Sequence, residues 1–335
     1  TPGVVARTGA FFAFRIFPNI IFVSCLMTVL YHLGIMQRVV QLLAWIMQRT
    51  LRTSGAETLC AASNIFVGLM ESPLAVKPFI RGMTESELMA VMTVGMATIS
   101  GGVLAAYAGM MAPFHPAAAG HLIAASVMSA PAAFVIAKLL VPETGEPETL
   151  GVLGVEVQVE KPDVNVIDAA ARGAAEGLKL ALVVGAMLIA FIALVALANG
   201  VVGWAGSLVG FDGLSIEGML GWALGPVAWL LGVTWVDAGV IGQLIGVDFV
   251  LNEFVAFGQL QGLLQGGAEL QERSVVIGIY ALATFANFGS VAMTIAGLGE
   301  IAPSRRQDLA RLGMKSMLAG LLAALLTATF AGMLT

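Results

Sequence analysis

The chain has 335 residues, of which 59% are hydrophobic and only 11% charged, against roughly 25% charged in an average soluble domain. With a mean hydropathy of +0.93, no water-soluble fold has enough interior to hide that apolar surface, so the chain reads as an integral membrane protein. Its 16 basic and 21 acidic residues give a net charge of −5, and no long basic tract offers a surface to nucleic acid.

In chain order, Thr1–Ala10 lacks the basic-then-apolar-then-small pattern of a signal peptide. A helix needs about 20 apolar residues to cross the hydrocarbon core, and Phe17–Met36 supplies them. Met36–Ala56 differs: Val39, Leu42, Leu43 and Ile46 recur at helical spacing among Gln37, Arg38, Gln41, Gln48 and Arg49, which predicts an amphipathic helix lying on the membrane surface. Leu88–Ala112 and Ala117–Val141 are again long enough to cross. Val141–Asp168, with three prolines, five acids through Glu160 and then Asp163, reads as a solvent loop with a short strand at Val152–Val159. Leu180–Ala198 holds neither charge nor proline and is the clearest spanning segment. Gly203–Gly246 is apolar yet full of Gly and Trp, with Asp212, Glu217 and Asp237, and reads as interfacial helices plus broken membrane segments. Val275–Gly299 and Ser316–Leu334 complete the set of spans. Cys25 and Cys60 sit in apolar company and read as free thiols.

The two halves run in parallel. Each holds a short apolar stretch with a glutamate inside it, Glu71 in Asn64–Pro78 and Glu253 in Val247–Leu260. A long Gly-interrupted segment follows in each, broken around Ile99-Ser100-Gly101-Gly102 and around Phe285-Ala286-Asn287-Phe288-Gly289-Ser290, and then a plain spanning helix. Interrupted segments in corresponding positions of two halves are the sequence sign of an internal-repeat secondary transporter with its site at the repeat interface.

A carboxylate inside the membrane costs a few kcal/mol or more by the insertion scale and normally faces a polar cavity. Ser72 followed by Pro73 predicts the N-cap and first position of a half-helix beside Glu71, and Asn252 is placed to cap a second one beside Glu253. Two re-entrant hairpins meeting at their tips would bring both acids to the bilayer centre; the plainer alternative makes them loop-end glutamates at the surface. Asn287 and Ser290, three residues apart, are either helix–helix packing groups or site residues at a break. Thr98–Gly102 is open to the same two readings, the second as an unwound turn whose carbonyls hold a hard cation. His32, His115 and His121 form no ligand spacing with a carboxylate. No HExxH, GxSxG or potassium-filter motif supports a hydrolase or a channel.

These residues resemble a known family. Asn64-Ile-Phe-Val-Gly-Leu-Met-Glu71-Ser-Pro-Leu-Ala-Val-Lys-Pro-Phe79 is similar to the first hairpin of concentrative nucleoside transporters. Asn252-Glu-Phe-Val-Ala-Phe257 is similar to their second hairpin, and Phe285–Ser290 through Gly297–Pro303 to the broken helix after it. Tyr31–Met36 and Thr53–Glu57 match as well, so the likeness runs over nearly the whole chain. It implies an all-α polytopic membrane protein, not an enzyme, with an inverted-repeat transporter core of two re-entrant hairpins and two broken transmembrane helices. It further implies a homotrimer in the bacterial inner (plasma) membrane that imports nucleosides with a sodium gradient, or with protons as in some members. Members carry further helices ahead of this point, so the resemblance implies a missing N-terminal portion.

Carried over position by position, the resemblance assigns Glu253, Asn287 and Ser290 to the ribose hydroxyls, Glu71 and Val103 to the base side, and Asn64, Val67, Thr98 and Ile99 to sodium. Leu69 and Met70 stand where the family has Gln-Thr against the base, which implies altered base selectivity or another hydroxylated cargo. Asp248 stands in place of a lysine and Phe257 in place of a tyrosine. The expected division is a scaffold span plus surface helix over 1–56, a first transport repeat over 57–141, a hydrophilic linker over 142–175, a second scaffold part over 176–222 and a second repeat over 223–335.

Overall fold

The computed structural model describes residues 10–151, 163–208, 210–211 and 213–335, and every regular element among them is helical. The strand expected at Val152–Val159, the stretch ahead of Ala10 and Asp212 lie outside the described residues. Helix α1 (Ala10–His32) meets α2 (Ile35–Leu51) at an angle of 81°. The corner is Gly34, whose φ of 75° is a conformation that costs glycine nothing. On α2, Val39, Leu42 and Ile46 are exposed and Arg49 lies over the Trp45 ring at 5.4 Å, as suits a surface helix with an outward apolar stripe. The helix expected to reach Ala56 stops at Leu51, because Arg52 turns into the left-handed region (φ 55°) and Ser54 starts a new helix.

That helix, α3 (Gly55–Asn64), is capped by Ser54 and Glu57, each bonding the other's backbone N–H. Helix α4 (Glu85–Ala97) has the same device in Thr84 and Glu87. The two boxes are joined: the Ser54 hydroxyl bonds Glu87 Oε1, and Lys138 of α6 (Ala118–Leu140) lies 2.9 Å from Glu57. Both glutamates are 1% exposed, so this polar knot ties α3, α4 and α6 together inside the protein.

Beyond α3 the chain turns back through 65–71 into a short 3₁₀ turn, Ser72–Val76. A half-helix capped by Ser72 is not formed there. The Ser72 hydroxyl is turned instead toward Asn64 and Cys60, donating to Asn64 Oδ1 at 3.0 Å and lying 3.7 Å from Cys60 Sγ, and not toward the N–H groups of the turn. Helix α5 (Gly101–Met111) continues the α4 direction after the break at 98–100, and α6 follows.

Helix α7 (Val166–Leu208) has 43 residues and contains the whole of Leu180–Ala198. It begins ten residues ahead of the expected linker boundary at 175, because Asn165 Oδ1 accepts the N–H groups of Ile167 and Asp168 and Arg172 clamps Asp163 at 2.6 and 2.8 Å. The guanidinium also holds the Asp163 carboxyl below the usual carboxylate range. Gly173, Gly177, Ala181 and Gly185 recur every fourth residue on the face toward α1. A methyl at Gly173 or Gly177 would come within 2.9 Å of α1 backbone atoms, the close approach that small residues permit in lipid.

Helix α8 (Ile216–Leu230) and α9 (Trp235–Val250) fold back on each other at 116°, and α8 runs through the boundary expected at 222. Gly242 meets the Gly225 and Leu224 backbone, and Gly221 meets Gly239. At the turn the exposed Trp229 and Trp235 rings stack edge to face, 6.1 Å apart, in the amphipathic style of a membrane interface. Then come α10 (Glu253–Gln265), α11 (Glu272–Ala281), α12 (Phe288–Ile301) and α13 (Arg306–Leu334). Among the described residues three helical stretches, Glu85–Met111, Ala118–Leu140 and Pro303–Leu334, are long and apolar enough to cross a membrane, or up to five if each bent pair counts as one. Helix α13 packs along α4, α6, α11 and α12, so it ties both halves together.

Candidate functional site

Breaking a helix in an apolar setting leaves backbone groups without partners, and each must find one. At the first break the Ile99 carbonyl accepts from Ser126 at 3.3 Å, and the Gly101 N–H donates to Phe66 O at 3.0 Å. At the second, between α11 and α12, the Phe285 N–H and the Thr284 hydroxyl both donate to Met96 O at 2.7 Å. The two breaks therefore bond each other directly, one from each half of the chain.

Asparagines start the helices that leave this region. Asn252 Oδ1 accepts the Val255 N–H at 3.0 Å and opens α10; Asn287 Oδ1 accepts the Ser290 N–H at 3.0 Å and opens α12. Cap residues with a side-chain oxygen are strongly preferred at such starts. The caps bring Glu253, Asn287 and Ser290 together. Asn287 Nδ2 donates to Glu253 Oε2 at 3.0 Å, and Ser290 Oγ lies 3.2 Å from Asn287 Oδ1. All three residues are at most 4% exposed.

A fourth group joins them from α5. Tyr107, fully buried, donates its hydroxyl to Glu253 Oε1 at 3.1 Å, stacks on Phe257 at 4.3 Å and meets Phe254 edge-on at 4.8 Å. Sequence reasoning missed it. Its signal was a lone phenol in an otherwise apolar segment, since a buried tyrosine hydroxyl needs a partner. Glu253 thus receives a phenol donor from α5, while Phe257 on its own helix offers none. Tyr107→Phe removes one donor to a buried carboxylate, worth about 1.5–3 kcal/mol, and is expected to raise the KM for transported cargo about tenfold. The check is saturation uptake at matched protein amount; an unchanged KM would mean that Tyr107 serves packing alone.

Of the second group of expected residues, Asn64 and Thr98 are bonded to each other. Asn64 Nδ2 bonds Thr98 Oγ1 and donates to Val94 O at 3.1 Å, while Ser72 holds Asn64 Oδ1. Val67 lies in the turn after α3, its N–H bonded to Ser63 O, and Ile99 follows Thr98 in the break. Side-chain and carbonyl oxygens are the donor type that suits a hard cation, and the Ser72 hydroxyl adds one more oxygen to this cluster.

The base-side residues are less gathered. Leu69 packs over Gly95 of α4, so closely that a methyl there would clash at 2.3 Å. Met70 is exposed and its sulfur and terminal methyl cover Gly297 of α12. Glu71 is exposed at the tip and within electrostatic reach of Tyr31 on α1 and Glu176 on α7. Val103 is buried on the first turn of α5. None of the four is bonded to the Glu253 group among the described contacts.

Two family models match the chain, "Na+ dependent nucleoside transporter C-terminus" over residues 121–332 and "Nucleoside recognition" over residues 13–114. The nucleoside permease NupC of Helicobacter pylori is 43% identical over 327 residues, covering 97% of this chain and 76% of the permease. Sodium/nucleoside cotransporter 1 of Rattus norvegicus is 41% identical over 335 residues, covering 96% of this chain and 51% of the cotransporter. The chain therefore spans about three quarters of that bacterial relative and half of the mammalian one. Among solved structures, CNTnw in an inward-facing substrate-bound state is 46% identical, with a TM-score of 0.86, covering 96% of this chain and 74% of that one. A CNTnw variant in an outward-facing state fits with a TM-score of 0.88. Two matched models and relatives above 40% identity decide the question of kinship: the chain belongs to the concentrative nucleoside transporter family, whose members are membrane transporters and not enzymes.

Proposed function

We propose that the chain is a secondary active symporter that imports nucleosides on a sodium gradient by alternating access. The observation that carries this reading is the junction of Glu253, Asn287 and Ser290 at two capped helix starts. A diol needs an acceptor together with groups that both donate and accept, and a carboxylate, an amide and a hydroxyl supply them. In this reading those three residues take the ribose, while Leu69, Met70, Glu71 and Val103 bound the base. Asn64, Val67, Thr98 and Ile99 bind sodium. Sodium there orders the first hairpin, so ion and cargo raise each other's affinity. The repeats 57–141 and 223–335 form the moving core, α3 with the turn to Ser72 and α9 with α10 acting as re-entrant hairpins. Residues 1–56 and 176–222 form the scaffold of a homotrimer in the bacterial inner membrane, with 142–175 as the link.

A second reading concerns the cargo. The apolar Leu69 and Met70 leave the base side without the bidentate polar contact an amide gives, which favours broad base selectivity or another hydroxylated solute. One experiment separates these: uptake of labelled uridine and adenosine into proteoliposomes with and without an inward sodium gradient, with ribose-like competitors. Accumulation of both nucleosides that collapses without sodium is the expected result. Uptake indifferent to sodium sinks sodium coupling, and competition by sugars but not by nucleosides sinks the nucleoside cargo.

A further inference from the structure

The last turn of α9 carries an acid that the cargo contacts leave unused. Asp248 is 0% exposed, and neither of its carboxylate oxygens meets a hydrogen-bond donor among the described residues. It stands two residues before the end of α9, where the helix presents the negative end of its dipole. An ionised carboxylate buried there has no donor among the described residues to offset its lost hydration. Glu253 has the opposite setting. It opens α10, at the positive end of that helix, and accepts from both Tyr107 and Asn287.

The two carboxyls act on each other electrostatically, and Asp248 acts on Tyr107 as well. The other ionisable groups on elements packed against α9 are engaged elsewhere. Glu217, on the first turn of α8, is bonded to Asn199 of α7. On α11, Arg273 lies beside Gly232, ahead of the opposite end of α9; Glu272 adjoins it, and Tyr280 lies against His121. No cation is available to neutralise Asp248 from these helices. Two interacting carboxyls in unequal settings can share one proton, held by the member that lacks donors.

We propose that Asp248 is a proton-binding site of this transporter, holding a proton while Glu253 carries the pair's one negative charge, and that this proton travels with the cargo. The proposal rests on reading Glu253 as the acceptor for a cargo hydroxyl. A proton enters from water on the side to which the site is open, forming the O–H bond on Asp248, and leaves to water on the other side when that bond breaks. Without it, either two charges stand side by side or Glu253 takes up a proton and becomes a weaker acceptor. Cargo and proton therefore favour each other's binding, by the same factor in both directions.

The test uses the full chain in proteoliposomes at symmetric sodium, as wild type, Asp248→Asn and Asp248→Glu. Uridine exchange and uridine-evoked acidification of the lumen are followed across pH, and the carbonyl stretch of protonated carboxyl groups is recorded by infrared difference spectroscopy. In the wild type, exchange should fall at least tenfold from mildly acidic to mildly alkaline pH, and uridine should carry protons inward. Asp248→Asn should lose the proton movement and hold exchange within about twofold across pH; Asp248→Glu should restore both. Proton movement that is absent from an exchanging wild type, or that persists in Asp248→Asn, overturns the proposal. A wild type that exchanges no nucleoside overturns the cargo reading instead. The infrared band then decides Asp248 alone: present in the wild type and in Glu253→Gln but lost in Asp248→Asn, it supports the proton site, and any other pattern overturns it. Should Asp248→Asn fail to fold, retention of the band in Glu253→Gln and its displacement in Asp248→Glu give the same decision.

Discussion

Glu253→Gln is expected to lower nucleoside uptake by about a hundredfold at equal protein in the membrane. In the native site both carboxylate oxygens already accept, one from Tyr107 and one from Asn287. An amide can accept at only one of its two ends, so it turns an N–H toward one of those donors and loses the charge that strengthens the remaining bonds. Hydrogen bonds to a charged group are worth about 1.5–3 kcal/mol each, and a loss of about 2.7 kcal/mol is two decades in affinity. Selectivity should change as well as rate. A pocket built to bond hydroxyls rejects analogues without them because its own polar groups are left unpaired. Competition by uridine and by its 2′,3′-dideoxy analogue is the measurement. The wild type should prefer uridine strongly and the variant only weakly. Undiminished preference in Glu253→Gln would remove the carboxylate from the ribose site.

Gly242→Val should be the most damaging single change outside the site. A methyl at this position would lie 2.5 Å from the Gly225 nitrogen, 2.6 Å from the Leu224 carbonyl carbon and 2.8 Å from its oxygen. All three are backbone atoms, so no side chain can rotate out of the way and α8 must separate from α9. Overpacking of this kind costs about 3 kcal/mol at the upper end of its usual range, and it falls on the helix pair that leads into Asn252 and Glu253. Gly239, three residues earlier, is the matched control, since a methyl there meets nothing within 4 Å. Gly239→Ala should leave thermal unfolding unchanged or raise it slightly through helix propensity, while Gly242→Val should sharply lower the midpoint or abolish folded protein. Equal midpoints for the two variants would contradict the close α8–α9 contact.

The elements that announced themselves in the sequence did so through local chemistry. Asn252 stands directly before a helical run and caps its helix as that position predicts, while Asn287, read only as lying at a break, caps the helix that leaves it. The amphipathic helix after His32 and the interruptions near 99 and 285 were legible for the same reason, because spacing and glycine act within a few residues. What stayed hidden depends on partners far along the chain. Tyr107 gains its role from an acid 146 positions away, and no periodicity records that. Ser72 followed by Pro73 carries a good helix-start signal, yet its hydroxyl goes to Asn64 and only a short 3₁₀ turn forms. The start of α7 was obscured by its own charges, since Asp168, Arg172 and Glu176 make its first turns read as loop. Both capping boxes, Ser54 with Glu57 and Thr84 with Glu87, were present as local signals and were overlooked; the link between them could not have been read at all.

The bond between the two interruptions makes them mechanically one joint. The Met96 carbonyl, at the end of α4, accepts from both the Thr284 hydroxyl and the Phe285 N–H in the stretch that follows α11. A displacement of either break pulls on two bonds to a single carbonyl, so two stretches of irregular backbone are held in register although 188 positions separate Met96 from Thr284 along the chain.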